Sequence, residues 1–328
     1  MDRPPLLVFV TVDTEIWPFT SSWRETALKE ETQRYIEGLT RGGSYGLPYQ
    51  MDLMGRHGLK GIFFTEALFA CEMGIEPLRR IVDMVQMARH DVELHLHTEW
   101  LAKMTQNILP GRTGTNIKDF SEEEQTILLA RGLRNLRDAG AERVSAFRAG
   151  NFGASLDTLR ALARNGIVYD TSYNVCYLGH SCEIRTPEPL LQPSRIGGVY
   201  EFPVTHFRDY PGHFRPVQLC ACSFAETEHA LNQAWARGWH SLVIVSHSFE
   251  LLKRRIRPGH PSLPDRIVIN RFERLCEFLG RNRDRFQTSS FKDIEPAHIP
   301  AAQPARGLQS RIDRTALRYM EQALSQIV

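Results

Sequence analysis

Short apolar runs recur along the chain and alternate with segments of helical periodicity. The first run, Leu6 to Val12, contains aliphatic and aromatic residues and one threonine, as is typical of a strand buried on both faces of a parallel sheet or barrel. Runs of the same character lie at 59–64, 92–96, 144–147, 166–169, 199–204 and 242–246. Strand and helix patterns alternate about seven times, which predicts a parallel α/β architecture and fits a barrel slightly better than an open sheet.

Helix signals separate most of these runs. Helical patterns lie at 76–88, 125–138, 156–164 and 226–237. Ser121 and Glu124 have the spacing of a capping box that opens the second of these helices, and Ser155 is expected to cap the third. Gly238 follows the fourth helix and is a usual C-terminal stop. No clear linker interrupts the alternation, so we predict a single barrel domain over residues 1–292.

Several segments lie outside this alternation. Residues 17–48 are long for one connection and rich in helix formers over 25–40, which predicts an extra helix over the sheet. Residues 103–120 are polar and carry several Gly and Thr, a composition typical of a mobile loop beside a site.

The C-terminal residues 293–328 form the second predicted region. Residues 293–308 carry three prolines and predict an extended linker to an amphipathic helix at 311–328. Its apolar stripe consists of Ile312, Leu317, Met320, Leu324 and Ile327. The helix is expected to dock on the barrel or on a second copy of the chain, so a homo-oligomer is possible.

Composition narrows the classes of function. The chain has 328 residues, with 40 Lys and Arg against 38 Asp and Glu, and its formal net charge of +2 argues against a nucleic-acid partner held through phosphates. No apolar run approaches the roughly 20 residues of a transmembrane helix. The N-terminus lacks the features of a secretory signal, and the six cysteines are scattered, so a cytoplasmic location is expected.

Candidate chemistry lies where the predicted strands end, because sites in parallel α/β folds form at the carboxyl ends of strands. Asp13 and Glu15 follow the first strand two residues apart, which puts both carboxylates on one side of an extended segment. Their pattern favours a functional role over simple helix capping. His95 and His97 also share one face at a strand end, with Glu99 two residues further on, a pattern that favours a metal site.

Three further strand ends carry polar groups. Arg148 leaves an apolar strand, where a guanidinium requires a carboxylate partner such as Asp13 or Glu15; a purely structural ion pair is equally compatible with the pattern. Gly150 allows close backbone approach by a ligand. Asp170 is the acid at the next strand end, and His247 ends the last apolar run and is a candidate acid or base. Phosphate-loop, dinucleotide and serine-hydrolase motifs are missing.

Taken in order, these motifs resemble the polysaccharide deacetylase, or NodB-homology, family over about residues 6–290. Thr11-Val12-Asp13-Thr14-Glu15 resembles its Thr-Phe-Asp-Asp motif, and His90-Asp91-Val92-Glu93-Leu94-His95 resembles its His-Glu-Ile-Gly-x-His approach to the metal. The other similar segments are Lys60-Gly61-Ile62-Phe63-Phe64-Thr65, Phe147-Arg148-Ala149-Gly150 and Ile244-Val245-Ser246-His247. His-Leu-His-x-Glu-Trp and Phe-Arg-Ala-Gly-Asn resemble a subgroup associated with lipopolysaccharide biosynthesis.

The resemblance implies a distorted (β/α)7 barrel and metal-dependent removal of an N- or O-acetyl group from a sugar. It gives Asp13 the role of general base, Arg148 that of its partner and His247 that of general acid. Thr14 stands where the family has its second Asp, so Glu15 is the replacement ligand, beside His95 and either His97 or Glu99. We favour His97, because imidazole suits zinc and lies on the same face as His95; cobalt, nickel and manganese are alternatives.

The remaining assignments concern the substrate and the rival functions. Gly150, Asn151, Asp170 and Trp100 are assigned to substrate binding, and Asp170 is also the nearest acid to support His247. The partner is an acetylated sugar or glycan intermediate. Two alternatives stay open: a metal-dependent hydrolase of another amide or a phosphoester, and a catalytically degenerate protein that binds a sugar or another protein.

Overall fold

The computed structural model describes residues 3–16, 32–253, 262–300 and 305–327. Residues 17–31 of the predicted helical insertion at 17–48 lie outside these ranges. The described part of that insertion contains a π-helical turn, Thr32–Ile36, a small hairpin and the first residues of the helix that begins at Leu47.

Within the described residues the strands are β1 (Leu6–Thr14), β2 (Leu39–Thr40), β3 (Gly43–Ser44), β4 (Gly61–Glu66), β5 (Asp91–Leu96), β6 (Ala146–Ala149), β7 (Tyr169–Asp170), β8 (Ser194–Ile196), β9 (Val199–Glu201), β10 (His206–Tyr210), β11 (His213–Pro216), β12 (Ser241–His247), β13 (Phe286–Thr288) and β14 (Leu308–Gln309). The helices are α1 (Leu47–Arg56), α2 (Ala70–Met73), α3 (Ile75–Met87), α4 (Glu122–Asp138), α5 (Leu156–Arg164), α6 (Phe224–Ala236), α7 (Arg266–Arg281) and α8 (Ile312–Ile327). Short 3₁₀ turns lie at Thr98–Lys103, Ile117–Asp119, Gly150–Phe152, Val175–Tyr177, Phe291–Asp293 and Pro296–His298.

The main sheet is mostly parallel, as the sequence predicted. In the first unit β1 pairs with β12 and with β13, and in the second unit the hydrogen-bonded order is β4, β5, β6, β7, β9, β8. Only β8 and β9 pair in antiparallel fashion among the registers known for this sheet. The predicted α/β class is confirmed. The short strands β8, β10, β11, β13 and β14 were not predicted, because two to five residues are too few to show a clear alternation.

The chain divides into two compact units. The first comprises Met1–Gly61, His206–Ser289 and Ala305–Val328, and the second comprises Ile62–Thr205 and Ser290–Pro304. The predicted division into a barrel at 1–292 and an extension at 293–328 stays a prediction. Among the described residues, no helix combines the length and the apolar character needed to cross a bilayer.

In the first unit, β1 lies between β12 and β13 and forms the centre of the core. Val8, Val12 and Val245 are completely buried, since the apolar side chains on both faces of β1 are covered. The register of β1 and β12 places Asp13 opposite His247. The buried apolar runs of β1 and β12 thus determine where Asp13 and His247 lie at the ends of these two strands.

In the second unit, β4 to β7 lie side by side and bury Phe63, Leu94 and Phe147. The predicted capping box is present: the Ser121 hydroxyl accepts a hydrogen bond from Glu124 N, and the Glu124 carboxylate accepts one from Ser121 N. The register of β5 and β6 places His95 opposite Arg148.

The C-terminal helix α8 contacts β10 and α6 through the buried side chain of Arg318, and the three stripe residues whose side chains are described are exposed. Ile312, Leu317 and Met320 are 89%, 38% and 57% exposed. Arg318 is instead buried, with Nη2 at 2.9 Å from Asp209 Oδ2 and Nε at 3.1 Å from Glu226 Oε2. We call Asp209, Glu226 and Arg318 the helix anchor. The side chain of Arg318 reaches carboxylates on β10 and α6, which a helical-periodicity argument does not reveal.

Candidate functional site

In the first unit, β1 ends in two buried carboxyl side chains. Asp13 is 2% exposed and Glu15 is 6% exposed. The alternation of an extended backbone directs both side chains to one side, with Thr14 between them. The predicted pair of carboxylates at this strand end is therefore present as a local arrangement.

The imidazole of His247 lies beside the two carboxylates. Its Nε2 is 4.0 Å from Asp13 Oδ2, and its side chain retains 21% exposure. Asp13, Glu15 and His247 each offer one ligand atom, and these atoms all lie within 4.8 Å of one another. We call these three residues the strand-end group. It is a set of carboxylate and imidazole donors of the kind that binds metal ions.

Glu250 supports His247, and sequence reasoning missed it. His247 Nδ1 is 3.1 Å from Glu250 Oε2, while Glu250 Oε1 accepts hydrogen bonds from Gln218 Nε2 and Cys220 N, each at 3.1 Å. Asp170 had been the expected support. Glu250 takes this place because the chain turns directly after β12 and returns the side chain three residues later to the same imidazole.

Glu250 also sets the charge of His247. Burial lowers the pKa of His247, but the hydrogen bond and charge of Glu250, with the charges of Glu15 and Asp13, outweigh burial and raise this pKa to about 9. Burial opposes the ionised form of Glu250, and His247 outweighs that effect and lowers the pKa of Glu250 to about 2. The pair is therefore an imidazolium and a carboxylate at neutral pH. The bond at Nδ1 leaves the Nε2 proton directed towards Asp13.

In the second unit, His95 lies near the end of β5, and His97 follows directly after this strand. Both side chains are buried, and their ring centroids are 4.8 Å apart. His95 Nδ1 is 2.8 Å from the carbonyl oxygen of Arg148, which only a protonated Nδ1 can contact favourably. His97 Nδ1 is 3.3 Å from Glu99 Oε2. Both contacts favour the tautomer whose lone pair is on Nε2, the form in which histidine binds a metal.

Glu99 lies next to this histidine pair and orients the ring of His97. Its Oε2 contacts His97, and its Oε1 accepts a hydrogen bond of 2.8 Å from Asn151 Nδ2. Burial opposes its charge, but the hydrogen bonds to His97 and Asn151 outweigh burial and lower the pKa of Glu99. Of the two open alternatives for a third ligand, this arrangement favours His97, with Glu99 holding its ring.

A second carboxylate, Glu66 at the end of β4, was also missed. Glu66 Oε2 accepts a hydrogen bond from His97 N, and Glu66 Oε1 accepts one from Leu68 N. Glu66 thus fixes the backbone that carries His97. The sequence signal for this residue was Thr65-Glu66 at the end of an apolar run. The role of Glu66 could not be predicted, because it depends on how β4 pairs with β5.

Arg148 is completely buried at the end of β6. Its Nε donates to the Thr171 carbonyl oxygen at 3.2 Å, and its guanidinium carbon lies 4.5 Å from the centroid of the Phe64 ring. A guanidinium held this way is a fixed charge, because its side chain cannot move without losing these contacts.

The four positions assigned to substrate differ in exposure. Asn151 is exposed and adopts a φ of 56°, in the left-handed region. A Cβ at Gly150 would lie 2.7 Å from His97 Cγ, so the close packing of this loop against His97 requires glycine. Trp100 and Asp170 are 1% and 0% exposed, and in this structure they present almost no surface to a ligand. Their assignment to substrate stays a prediction.

No protein-family model matches the sequence, and no curated protein matches it either. Solved structures do match. A proposed polysaccharide deacetylase from Mycobacterium smegmatis aligns with a TM-score of 0.57 and 14% identity, over 94% of this chain and 96% of that one. A family 4 carbohydrate esterase from Streptomyces lividans aligns with a TM-score of 0.41 and 12% identity, over 92% and 98% of the two chains.

A family 4 carbohydrate esterase pseudoenzyme from Bacillus anthracis aligns with a TM-score of 0.40 and 8% identity, over 94% of this chain and 70% of that one. The fold assignment rests on the Mycobacterium structure alone, because the other two TM-scores are below 0.5. With the parallel sheet and its helices, that match confirms the predicted fold: the chain has the (β/α)7 barrel fold of a polysaccharide deacetylase.

Proposed function

We propose that this protein is a metal-dependent deacetylase that hydrolyses an N-acetyl or O-acetyl group on a sugar or glycan precursor. The observation that carries the proposal is the strand-end group, in which two buried carboxylates and one partly exposed, charged imidazole each place a ligand atom within 4.8 Å of the others. Amide hydrolysis needs a base for water and an acid for the departing nitrogen, and these residues supply both.

Glu15, His95 and His97 are the proposed metal ligands. Glu15 is buried just after β1 in the first unit, and His95 and His97 are buried at and just after the end of β5 in the second. Two imidazoles with Nδ1 engaged and one carboxylate fit zinc well, and cobalt, nickel or manganese also accept this donor set. A divalent ion held there would supply Lewis-acid polarisation of the acetyl carbonyl and a water of lowered pKa.

Asp13 is the proposed general base and Arg148 its partner. In this proposal, Asp13 takes the proton from the attacking water, and the fixed guanidinium of Arg148 keeps the carboxylate ionised and oriented. His247 is the proposed general acid. It is protonated at neutral pH, partly exposed, and presents Nε2 towards Asp13, so it can give its proton to the leaving nitrogen or oxygen.

We further propose that the substrate is an intermediate of lipopolysaccharide or another surface polysaccharide, met in the cytoplasm. The support is the resemblance of the His-Leu-His-x-Glu-Trp and Phe-Arg-Ala-Gly-Asn segments to the corresponding subgroup. Asn151 is exposed beside Glu99 and is the residue best placed to contact a sugar hydroxyl. Assays on free, nucleotide-linked and lipid-linked acetylated sugars separate these substrates by the acetate that each releases.

The test of the function combines metal analysis with acetate release. We expect stoichiometric divalent metal in the purified protein, loss of acetate release on chelation, and recovery on adding zinc. His95→Ala is expected to lose both metal and turnover, whereas His298→Ala, outside the proposed site, is expected to keep both. A His95→Ala protein with full metal and full turnover contradicts the proposal.

The alternatives give different results in the same assays. Turnover of cyclic amides or phosphoesters without acetate release indicates another metal hydrolase. Sugar binding without stoichiometric metal or turnover indicates a degenerate binding protein. The exposed stripe of α8 supports a separate proposal, a homo-oligomer formed through that helix, which sedimentation of the full chain tests.

A further inference from the structure

Two carboxyl side chains are buried together behind Arg148. Asp170 ends β7 and Glu201 ends β9, and the parallel register of these strands places the two residues opposite each other. Both side chains are completely buried. Two ionised carboxylates buried opposite each other repel and have only acceptor oxygens, so the pair is satisfied only when it holds one proton, which makes one of the two groups a donor.

The other contacts of the pair show which residue carries that proton. Asp170 Oδ1 accepts a hydrogen bond of 2.7 Å from Ser172 Oγ, and Asp170 Oδ2 accepts one of 3.2 Å from Ser172 N. Glu201 Oε1 accepts one of 3.0 Å from Tyr173 N. Within the described part of the chain, no donor reaches Glu201 Oε2. Both oxygens of Asp170 accept a donor, whereas Glu201 accepts one only at Oε1, so Glu201 Oε2 is the place for the proton.

The turn at 170–173, which contacts this pair of acids, also binds the guanidinium of Arg148. Arg148 Nε and Nη2 bond to the carbonyl and hydroxyl oxygens of Thr171, at 3.2 and 3.4 Å. The Ser172 hydroxyl, which donates to Asp170, also accepts a hydrogen bond of 2.9 Å from Ala149 N. Glu201 therefore contacts both ends of the turn at 170–173, whose middle residues fix the guanidinium and the backbone after it.

We propose that Asp170 and Glu201 share one proton, and that neutral Glu201 is a positioning residue for Arg148. A single negative charge on Asp170 then faces the positive charge of Arg148, whereas a second buried anion would lack a cation to balance it. The role in positioning rests on the proposed function, in which Arg148 acts on Asp13. The shared proton does not rest on it.

The electrostatics of the surroundings agree with this assignment. Burial and then the charge of Asp170 raise the pKa of Glu201 well above its usual range. Burial raises the pKa of Asp170 too, opposed by its bonds to Glu201 and Ser172 and by the charge of Arg148. The thiol of Cys182 interacts with both acids, and burial raises its pKa, so it stays neutral at physiological pH.

Infrared spectroscopy of the full chain tests the shared proton without any assay of activity. At mildly alkaline pH we expect the C=O stretching band of a protonated carboxylic acid in the wild-type protein. The band is expected to disappear in Glu201→Gln and to persist in Glu93→Gln, the matched control on a second buried acid, whose pKa burial raises to about 7. A wild-type protein without the band, or a Glu201→Gln protein that retains it, overturns the proposal.

A second pair of measurements tests the positioning of Arg148. Glu201→Gln keeps a neutral donor to Asp170, so the Arg148 Nε–H resonance and the turnover should stay close to wild type. Glu201→Leu removes the donor, and we expect a shifted or broadened Nε–H resonance and a loss of turnover of about a hundredfold with little change in KM. The Nε–H signal is assigned by its absence in Arg148→Lys.

Asp170→Asn keeps the experiment decisive if Glu201→Leu does not fold. This variant supplies an amide donor to Glu201, which can then ionise, so the infrared band should be lost from a folded protein. If Glu201→Gln disturbs the Arg148 resonance as much as Glu201→Leu does, the positioning role is wrong. If both spectroscopic results hold but no acetylated sugar is hydrolysed, the proposed function fails and the proton-sharing pair stands.

Discussion

The first unit buries two small groups of charged side chains, the strand-end group and the helix anchor. Each contains two acids and one nitrogen base. In the helix anchor the side chains are 0–1% exposed, and Asp209 is also bonded to Arg215 at 2.8 Å. In the strand-end group the imidazole is 21% exposed and meets its carboxylate at 4.0 Å.

The difference separates a structural ion cluster from a chemical one. A guanidinium has five donors and no lone pair, so the helix anchor satisfies its acids and offers nothing to a metal or a substrate. An imidazolium, unlike a guanidinium, can give up its proton to a reacting group, and in the strand-end group it is partly accessible. Burial of charge therefore marks both groups, while the type of base and its exposure indicate which one can react.

The largest expected effect comes from His247. Because it is the proposed proton donor, His247→Gln should lower turnover by about 10²–10⁴-fold while leaving the fold intact. His213→Gln is the matched control, since His213 contacts Asp209 of the helix anchor at 2.5 Å. Steady-state acetate release, with circular dichroism for folding, makes the measurement. Equal losses in both variants would remove the distinction between the two groups.

At the helix anchor we expect a substitution to lower the stability of the fold, in contrast to the loss of turnover expected at His247. Arg318→Met leaves Glu226 buried without this guanidinium, and we expect the free energy of unfolding to fall by about 3–5 kcal/mol. Urea denaturation measures this change. Arg311→Met is the control, because Arg311 is 62% exposed in its pair with Asp313 and its loss should cost less than about 1 kcal/mol. Similar values for the two variants would show that the anchor contributes no more than a surface pair.

Glu250→Gln is expected to have an intermediate effect, through His247. The titration midpoint of His247 in the metal-free protein should fall from about 9 towards its ordinary value of about 6.5, and turnover should fall by about 10–100-fold. The NMR titration of the imidazole proton measures the midpoint, and the buried His240 serves as the internal control. A midpoint that stays at about 9 would show that Glu250 does not set the charge of His247.

The same pair predicts the pH dependence of stability in the metal-free protein. The pKa of His247 is raised, so its stabilisation is complete below about pH 6.5 and is lost as the pH rises through about 9. The pKa of Glu250 is lowered, so its stabilisation is present above about pH 4.3 and is lost as the pH falls through about 2. Wild type should lose this advantage over Glu250→Gln at both extremes, as urea denaturation across the pH range can show.

The smallest effect is expected on the exposed face of α8. Met320→Ser should change the free energy of unfolding by less than about 0.5 kcal/mol, because Met320 is 57% exposed. Sedimentation velocity of the same variant tests the proposed oligomer. A dissociation constant unchanged by both Met320→Ser and Leu317→Ser would argue against self-association through this face.

Much of the fold was predictable because its signals are local. The apolar run before Asp13 predicted β1, and Ser121 with Glu124 predicted the start of α4, since alternation and capping depend on residues a few positions apart. The stripe of α8 predicted a helix correctly, but it did not reveal the polar side chain of Arg318 that joins the described part of the helix to β10 and α6. Periodicity cannot show that the long side chain of Arg318 reaches buried acids distant in the sequence.

The amino-acid sequence alone specifies which chemical groups stand at the strand ends: Asp13, Glu15, His95, His97 and His247. It does so because strand alternation puts residues two apart on one side. The partners of these groups depend on tertiary packing. Glu250 reaches His247 through a turn, Glu66 reaches His97 from the neighbouring strand, and Glu201 meets Asp170 through strand register. Pairing of this kind depends on how segments distant in the sequence pack together, and no periodic pattern of residues reveals such packing.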